Sequence, residues 1–475
     1  MIVPRFLPVV AVLGLVTLQV DAAQPVAPQA TSASAYTTDL MGLYHESRLE
    51  DPRVLAAYLR SQSAVEKERE AFGGLLPQVT ANTSSNRILR KDETNREIYD
   101  NASYSLNITQ ALYNKTVWEG YQKAKSVTTQ KALQADDAQA EATVDLAKRY
   151  FLALSADDEL ELLMAERRAT QNSLDRVSAM YDKQMAMVTD VLDLKARVDL
   201  LAAQEVEARN QVRLSRAGLS ELVGRPITEP LSRIRNDIAL QAPDKSMETW
   251  VIQAMDSNPL LKANERGLEV ANAAVREGKG GHYPTLTFSL GAQRSDVGYD
   301  NTQSPRSDSY VATIGVKVPI YSGGSTSARV RGLYDEQLAV EQEVEGIRRR
   351  VVKETTNAYL TAVSSVEKIR ANKNALASAE QSSIASQKAF AYGVKDSVDV
   401  LTAVQAEFKA RRDLLKAQYD FITNLFILNR WAGRPPEESV DAVNVWLGGV
   451  ELAAKTENTG SKALTNKPAP LPVRR

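Results

Sequence analysis

Gly224-Arg225-Pro226 returns as Gly433-Arg434-Pro435, and further matching pairs surround this motif at nearly the same spacing. The other pairs are Asp51-Pro52 and Asn258-Pro259, Leu76-Pro77 and Tyr283-Pro284, and Asp190-Val191 and Asp399-Val400. The offset between partners stays at about 207 to 209 residues, whereas solenoid repeats recur about every 20 to 50 residues. The sequence therefore predicts two colinear copies of one structural unit.

Each copy contains a long stretch without proline, over residues 78–225 and residues 320–434. Apolar residues recur within these stretches at three-and-four spacing, for example at Leu194, Val198 and Leu201. This spacing is typical of helices that pair as coiled coils. A helix from Lys115 to about Lys183 would be roughly 100 Å long, at about 1.5 Å per residue. The pattern predicts helical hairpins that are too long for one globular core.

Each copy also contains two segments in which apolar and polar side chains alternate. Residues 102–109 alternate after a charged loop, and residues 285–292 and 310–318 repeat the pattern. Alternation on both sides of a loop predicts one β-hairpin per copy, with strands of about ten residues, the length that a tilted strand needs to cross a bilayer. Two surface hairpins on a soluble protein are the alternative. Four strands cannot close a barrel, whereas three chains would together supply twelve strands, an even number that suits a closed barrel.

The composition excludes several functional classes. The formal net charge is −1, which gives no reason to expect nucleic acid or another polyanion as a partner. Cysteine is absent, so disulfides, thiol catalysis and cysteine metal sites are excluded. Only His45 and His282 could supply imidazole, and none of the common hydrolase or phosphate-loop motifs is present. We therefore expect neither an enzyme nor a cofactor nor a metal site.

The N-terminus has the marks of a secretory signal peptide over residues 1–22. Arg5 precedes an apolar run from Phe6 to Leu18, and small residues follow at Ala22 and Ala23. The run is too short to span a bilayer comfortably, and no later segment approaches about 18 apolar residues. We therefore expect an exported chain whose mature part has no transmembrane helix.

The remaining chain divides into five predicted parts. They are a mobile segment (23–37), a first repeat (38–230), a connector (231–245), a second repeat (246–436) and a C-terminal segment (437–475) that is largely disordered. The first repeat comprises one helix over 38–72, a β-hairpin at about 78–111 and a long helical hairpin at about 115–223. The second comprises a helix, a β-hairpin at about 285–319 and a helical hairpin at about 324–432.

Three motifs together resemble the TolC family of outer-membrane efflux and type I secretion channels. They are the doubled Gly-Arg-Pro, the segment from Val318 to Gly324 (VPIYSGG) and, most specifically, the segment from Phe390 to Leu401 (FAYGVKDSVDVL). The resemblance covers nearly the whole mature chain. It implies a mixed, mainly α fold with internal duplication. Three protomers would form a twelve-stranded transmembrane β-barrel, four strands from each, continued by a long periplasmic α-helical coiled-coil barrel.

The resemblance also implies a cellular setting. The chain would lie in the outer membrane of a Gram-negative bacterium, with a periplasmic extension, as a homotrimer in contact with outer-membrane lipid. Its partners would be a periplasmic adaptor (membrane fusion) protein and an inner-membrane transporter of the ABC or proton-driven type. The expected function is the exit duct of this tripartite export system, with type I protein secretion preferred because the chain lacks a lipid-anchoring cysteine. The outer-membrane component of a multidrug efflux pump is the alternative, and a secreted coiled-coil structural or adhesion protein is the second alternative.

By the same resemblance, the pore constriction lies where the long helices turn. Asp190 and Asp399 occupy matching positions there, and six carboxylates near the axis of a trimer would attract cations. The alternative is that both are helix N-caps. The family can carry a second pore carboxylate one turn later, where this chain has Thr402, and Asp193 is the candidate to supply that charge instead. Lys395 matches a family position where a cation locks the closed state, with Asp190 as its candidate partner.

The tips of the two helical hairpins are the predicted docking sites for the adaptor. They comprise Gln184, Met185 and Ala186 in the first copy and Gly393, Val394 and Lys395 in the second. Gln184 replaces the glycine that the turn is expected to have. Ordinary solvent-exposed loops are the alternative.

Overall fold

The computed structural model describes residues 39–91, 93, 96–235, 240–299, 302–303 and 306–447. The predicted signal peptide, the N-terminal segment up to residue 37 and most of the C-terminal segment lie outside the described residues. The described part is mainly helical and carries one small antiparallel sheet.

The elements follow the same order in both copies. The helices of the described part are α1 (Leu40–Glu50), α2 (Pro52–Gly73), α3 (Lys115–Asp182), α4 (Val188–Val223), α5 (Met247–Ser257), α6 (Pro259–Gly280), α7 (Ser325–Ala391), α8 (Ser397–Trp431) and α9 (Pro436–Asn444). The strands are β1 (Gln78–Lys91), β2 (Arg96–Tyr113), β3 (Thr285–Tyr299), β4 (Thr302–Gln303) and β5 (Ser307–Lys317).

The prediction of one continuous helix over residues 38–72 is wrong, because the helix is interrupted at Asp51. The Asp51 side chain accepts a hydrogen bond from the Arg53 backbone N–H (2.8 Å), which makes it the N-cap of α2. Pro52 follows at the first helical position, where its missing N–H costs nothing and where it disfavours a helical conformation in the preceding residue. Asn258 and Pro259 repeat this break in the second copy.

The long helices form the two hairpins α3–α4 and α7–α8. Helix α3 has 68 residues and α7 has 67, so each is roughly 100 Å long at about 1.5 Å per residue. Charged side chains recur along both. None of the helices in the described part of the chain combines the length and the apolar character needed to cross a membrane.

The sheet is antiparallel, with the order β1-β2-β3-β5 and the short β4 also paired with β3. Its strands are longer than the ten residues expected, at 14, 18, 15 and 11 residues for β1, β2, β3 and β5. Polar cross-strand contacts extend the pairing beyond the apolar part. Arg294 Nε lies 2.7 Å from an Asp308 carboxylate oxygen, and the hydroxyls of Ser84 and Ser103 are 2.8 Å apart. The alternation of apolar and polar residues did not reveal this extension, because it is lost there: the apolar residues Ile88 and Leu89 are adjacent, as are Ile98 and Tyr99.

The largest apolar core lies about halfway along α3, where it packs against α1, α4, α8 and α9. Its fully buried aromatic side chains include Tyr44, Tyr150 and Phe421. The Tyr150 hydroxyl donates to the Ser232 carbonyl oxygen (2.8 Å) and so holds the connector between the copies to this core. Tyr150 lies 32 residues before the end of α3, a distance of about 48 Å along the helix. The helix turns are therefore far from the main core.

Candidate functional site

The two turns between the long helices have the same backbone geometry. In the first, the Met185 N–H donates to the Met180 carbonyl oxygen (2.8 Å), and in the second the Val394 N–H donates to the Ala389 carbonyl oxygen (2.9 Å). Gly393 has a φ of 75° and its counterpart Gln184 has a φ of 62°. Gln184 is the one residue other than glycine with a positive φ among the described residues. It therefore keeps the turn despite a strain of about 1 to 2 kcal/mol for a side chain in the left-handed region.

The structure places Asp190 and Asp399 in the first turns of α4 and α8, although neither is the N-cap. Both occupy the third helical position. An Asp190 carboxylate oxygen accepts from the Met187 backbone N–H at 3.4 Å. The N-cap of α8 is Asp396, which accepts from the Asp399 backbone N–H at 2.7 Å. The N-cap interpretation of both aspartates is therefore wrong. Asp396 is not among the predicted site residues, although it precedes Asp399 by three positions, which is the spacing between an N-cap and the third residue of a helix.

The other two predicted constriction residues lie one turn further along the same helices. Asp193 and Thr402 are both exposed. The Thr402 hydroxyl donates to the Val398 carbonyl oxygen in its own helix (2.9 Å), so its polar group is already engaged. No ion pair with another described residue is formed by Asp190, Asp193 or Asp399. Each carboxylate is thus available to contribute charge to its surroundings.

The structure does not bring Lys395 and Asp190 together within one chain. The Lys395 ammonium donates instead to the Ser386 hydroxyl on α7, at 3.1 Å. Across the described ranges, no salt bridge joins Lys395 to Asp190. The gate-locking pair stays a prediction.

The tips expose large apolar side chains to solvent. Met185 is 68% exposed and Val394 is 79% exposed, while Ala186 is half-buried. Two further exposed residues were missing from the predicted docking set, namely Met187 (71%) and Tyr392 (84%). Their apolar character and their position beside the turns could have indicated them. Apolar side chains clustered on a polar surface are typical of protein interaction sites.

A buried ionic cluster, which the sequence did not reveal, joins the two hairpins further along the helices. Glu166 on α3 is fully buried and accepts hydrogen bonds from Arg197 on α4 and Arg412 on α8. Arg412 also lies 3.8 Å from Glu159. Burial raises the pKa of Glu159, and the positive charge of Arg412 opposes that shift. Removing one partner of such a buried group leaves an uncompensated charge, so the cluster fixes how α8 packs on α3.

The described chain consists of two long helical hairpins attached to one five-stranded antiparallel sheet, with exposed turns at the far ends of the hairpins. The sequence profile of the outer membrane efflux protein family matches residues 43–225 and 250–434, and the chain belongs to this family. It is therefore an outer-membrane channel protein with a periplasmic extension, and not an enzyme.

Individual relatives agree with this assignment. The chain is 28% identical to the outer membrane protein TolC of Vibrio cholerae over 427 residues, which cover 89% of this chain and 96% of that protein. It is 26% identical over 451 residues to the alkaline protease secretion protein AprF of Pseudomonas aeruginosa, with 92% of each chain covered. The solved structure of CusC superposes with a TM-score of 0.75 at 17% identity, over 83% of this chain and 92% of that one, and shows the same fold.

Proposed function

We propose that the chain is one protomer of a homotrimeric exit duct that passes proteins from an inner-membrane transporter and a periplasmic adaptor to the cell exterior. The observation that carries this proposal is the sheet, which has one apolar face, one polar face and two open edges. The duct would consist of a twelve-stranded barrel in the membrane and a helical barrel below it.

The two faces of the sheet fit a wall between lipid and water. The register aligns Ile108 with Leu290 on one face and Asn107 with Gly291 on the other. Ile314 and Val316, on the apolar face, are 68% and 66% exposed in the protomer. Lipid-facing apolar residues that alternate with polar residues facing the lumen are typical of transmembrane barrels.

Tyrosines mark the two limits of this apolar face. Tyr104 and Tyr113 lie on the same strand, nine residues apart. This separation is about 30 Å along the strand and about 23 Å after a tilt of about 40°. An outward apolar band flanked by aromatic girdles is about 25 Å tall in such barrels. The longer strands found here would therefore continue beyond the membrane on the side of the polar cross-strand pairs.

The open edges of the sheet support the closure of three chains into one barrel. Strand β1 pairs with β2 alone and β5 pairs with β3 alone within the described part of the chain. Unpaired backbone groups are costly in lipid, where no water can satisfy them. Pairing β5 of one protomer with β1 of the next would satisfy both edges, and three protomers would supply twelve strands.

The duplication indicates which helices meet between protomers. In the second copy, α6 packs against both α3 and α7. A Cβ added at Gly280 would lie 2.7 Å from the Thr116 backbone nitrogen, whereas a Cβ added at the matching Gly73 would have nothing within 4 Å. Within the described part of the chain, helix α2 thus lacks the second neighbour that α6 has. We place α7 of the partner subunit there, so that each copy has equivalent contacts.

One ion pair across α3 and α6 gives this placement a residue-level test. Lys123 Nζ lies 2.5 Å from a Glu277 carboxylate oxygen, and the matching positions are Arg331 and Glu70, which are both exposed and oppositely charged. We propose that Arg331 of the partner subunit pairs with Glu70.

Reversing the charge at this contact should weaken the trimer. We expect Glu70→Arg to raise the dissociation constant of the detergent-solubilised trimer by about tenfold or more, because two like charges then meet at each of three interfaces. Adding Arg331→Glu should restore it, as measured by native mass spectrometry over a dilution series. Glu66→Arg on the same helix is the control, since Glu66 is paired within the chain with Arg69 (2.6 Å) and such exposed pairs contribute little. Equal dissociation of the Glu70→Arg and wild-type trimers would contradict the placement.

The exposed apolar tips are the proposed contact with the adaptor. We expect Met185→Asp combined with Val394→Asp to reduce adaptor binding by at least about tenfold, because charges placed at the centre of an apolar interface are desolvated without partners. Binding would be measured by surface plasmon resonance with the purified adaptor. Ile252→Asp is the control, since Ile252 is equally exposed but lies on α5. A loss of binding in the control alone would place the docking surface away from the tips.

Protein secretion is proposed as the export task because one relative, AprF, is named as an alkaline protease secretion protein. Drug efflux is the alternative, since the family carries the description outer membrane efflux protein. Deleting the gene distinguishes the two tasks. The secreted proteins in the culture medium and the drug susceptibility of the cells are each compared with those of the wild type. Loss of a secreted protein with unchanged susceptibility supports secretion, and hypersensitivity with an unchanged secreted set supports efflux.

A further inference from the structure

A cleft of about 200 Å³ lies among α3, α4, α7 and α8, close to the two helix turns. Its apolar lining includes Val177, Phe390, Val400 and Val404, which come from both hairpins. A cavity of about 150 Å³ lined by apolar side chains can hold a benzene molecule. The cleft is therefore large enough for a substituted aromatic ring.

The cleft is lined by a buried hydroxyl group that lacks a partner. Ser397 is 5% exposed, and its Oγ has no hydrogen-bond partner among the described residues. Buried polar groups in folded proteins are almost always paired, because an unpaired one has lost its water without compensation. Ser397 is also the first residue of α8, directly after the N-cap Asp396. The hydroxyl is thus placed to donate to an anionic group of a ligand.

The charge of the lining has a single sign. Arg176 on α3 is the one ionisable residue among the described residues that line the cleft, and its side chain is exposed. No carboxylate of the described chain pairs with it. A guanidinium that lines an apolar cleft favours a carboxylate, which it can bind by charge-assisted hydrogen bonds.

We propose that this cleft binds a small aromatic carboxylate. The ring packs among the four apolar side chains, and the carboxylate accepts hydrogen bonds from Arg176 and Ser397. Because the walls belong to both hairpins, a bound ligand contacts α3 and α8 together and stabilises their arrangement in this structure. Under the proposed function, on which this consequence rests, the ligand would reduce the open probability of the duct.

The test uses the full mature chain, reconstituted in lipid nanodiscs, with benzoate as the probe and isothermal titration calorimetry as the readout. Benzyl alcohol and benzylamine have the same ring with a neutral and a positive substituent. We expect benzoate to bind about tenfold more tightly than benzyl alcohol, since hydrogen bonds to a charged acceptor are the stronger ones. Benzylamine should not bind. Equal binding of all three probes, or no saturable binding of benzoate, would overturn the proposal.

Variants assign the binding to this cleft. Arg176→Gln and Ser397→Ala should each lower the affinity for benzoate to that for benzyl alcohol, and Val404→Phe should abolish binding of both by filling the space. Arg168→Gln is the matched control, because Arg168 lies on the same helix outside the cleft. Benzoate binding that is unchanged in Arg176→Gln and Ser397→Ala would place the ligand elsewhere and refute the site.

The same nanodiscs separate this proposal from the proposed function. The mass of the protein in the nanodiscs shows whether it is a trimer, and single-channel recordings show whether it conducts. A conducting trimer that does not bind benzoate refutes the ligand site alone. Benzoate binding to a chain that neither trimerises nor conducts would support the site, which lies within one protomer, and would refute the exit duct. Binding without a change in open probability would refute the link to opening.

Discussion

Replacing Gly433 by alanine is expected to destabilise the protomer by about 4 kcal/mol or more, in the range where mutational effects become exceptional. Gly433 has a φ of 69°, and an added Cβ would lie 2.4 Å from the carbonyl carbon and oxygen of Ser257. These are backbone atoms at the corner between α5 and α6, so no side chain can move aside. The corner is also held by the Asn258 amide, which donates to the Trp431 carbonyl oxygen (2.9 Å).

The duplication supplies a matched control for this prediction. Gly224 has a similar φ of 73°, but an added Cβ there would lie 3.5 Å from Glu50 side-chain atoms, at an ordinary contact distance. Gly224→Ala should therefore cost only about 1 to 2 kcal/mol, the strain of the left-handed conformation. Thermal unfolding followed by circular dichroism, together with the yield of purified protein, would measure both. Similar melting temperatures for the two variants would show that the close approach at Gly433 does not limit stability.

Removing the carboxylates near the helix turns is expected to abolish cation selectivity. We expect the double variant Asp190→Asn and Asp399→Asn to lower the ratio of cation to anion permeability by about fivefold or more, since the proposed trimer would lose six charges near its axis. Asparagine keeps an acceptor for the Met187 N–H, and Asp396 still caps α8, so both helix starts are preserved. The reversal potential under a salt gradient in a planar bilayer is the measurement.

A second variant tests how local this effect is. Asp193→Asn removes an exposed charge one turn beyond Asp190 and should reduce the permeability ratio less than the double variant. If the double variant keeps the wild-type reversal potential, the two aspartates serve the helix starts alone and the constriction lies elsewhere.

The sequence allowed the long helices to be predicted because proline is absent from them and their apolar spacing is regular. It allowed the hairpins to be predicted only where one face is apolar, since the strands continue into segments in which Ser84, Ser103 and Arg294 pair across polar faces. The break at Asp51 was overlooked although Pro52 signals it. The apolar spacing continues across Asp51 and predicts one helix, whereas the Asp51 cap and Pro52 start a new one.

The candidate site was predictable in position but not in its contacts. The duplicated turns identified Asp190, Asp399 and Lys395 as residues close to the hairpin ends. Their partners depend on packing between helices that are distant in the sequence, so the contact of Lys395 with Ser386 could not be read from it. The same holds for Glu166, whose two arginine partners lie 31 and 246 residues away.

The two open edges of the sheet also determine when the chain is most prone to aggregation. Before the proposed assembly forms, a single chain presents the outer edges of β1 and β5 to any other strand, and such edges are templates for aggregation. Under the proposed assembly, the interval between export and closure of the ring therefore limits the yield. A substitution that only slows the encounter of subunits would reduce the amount of channel in the cell while leaving the finished assembly as durable as before.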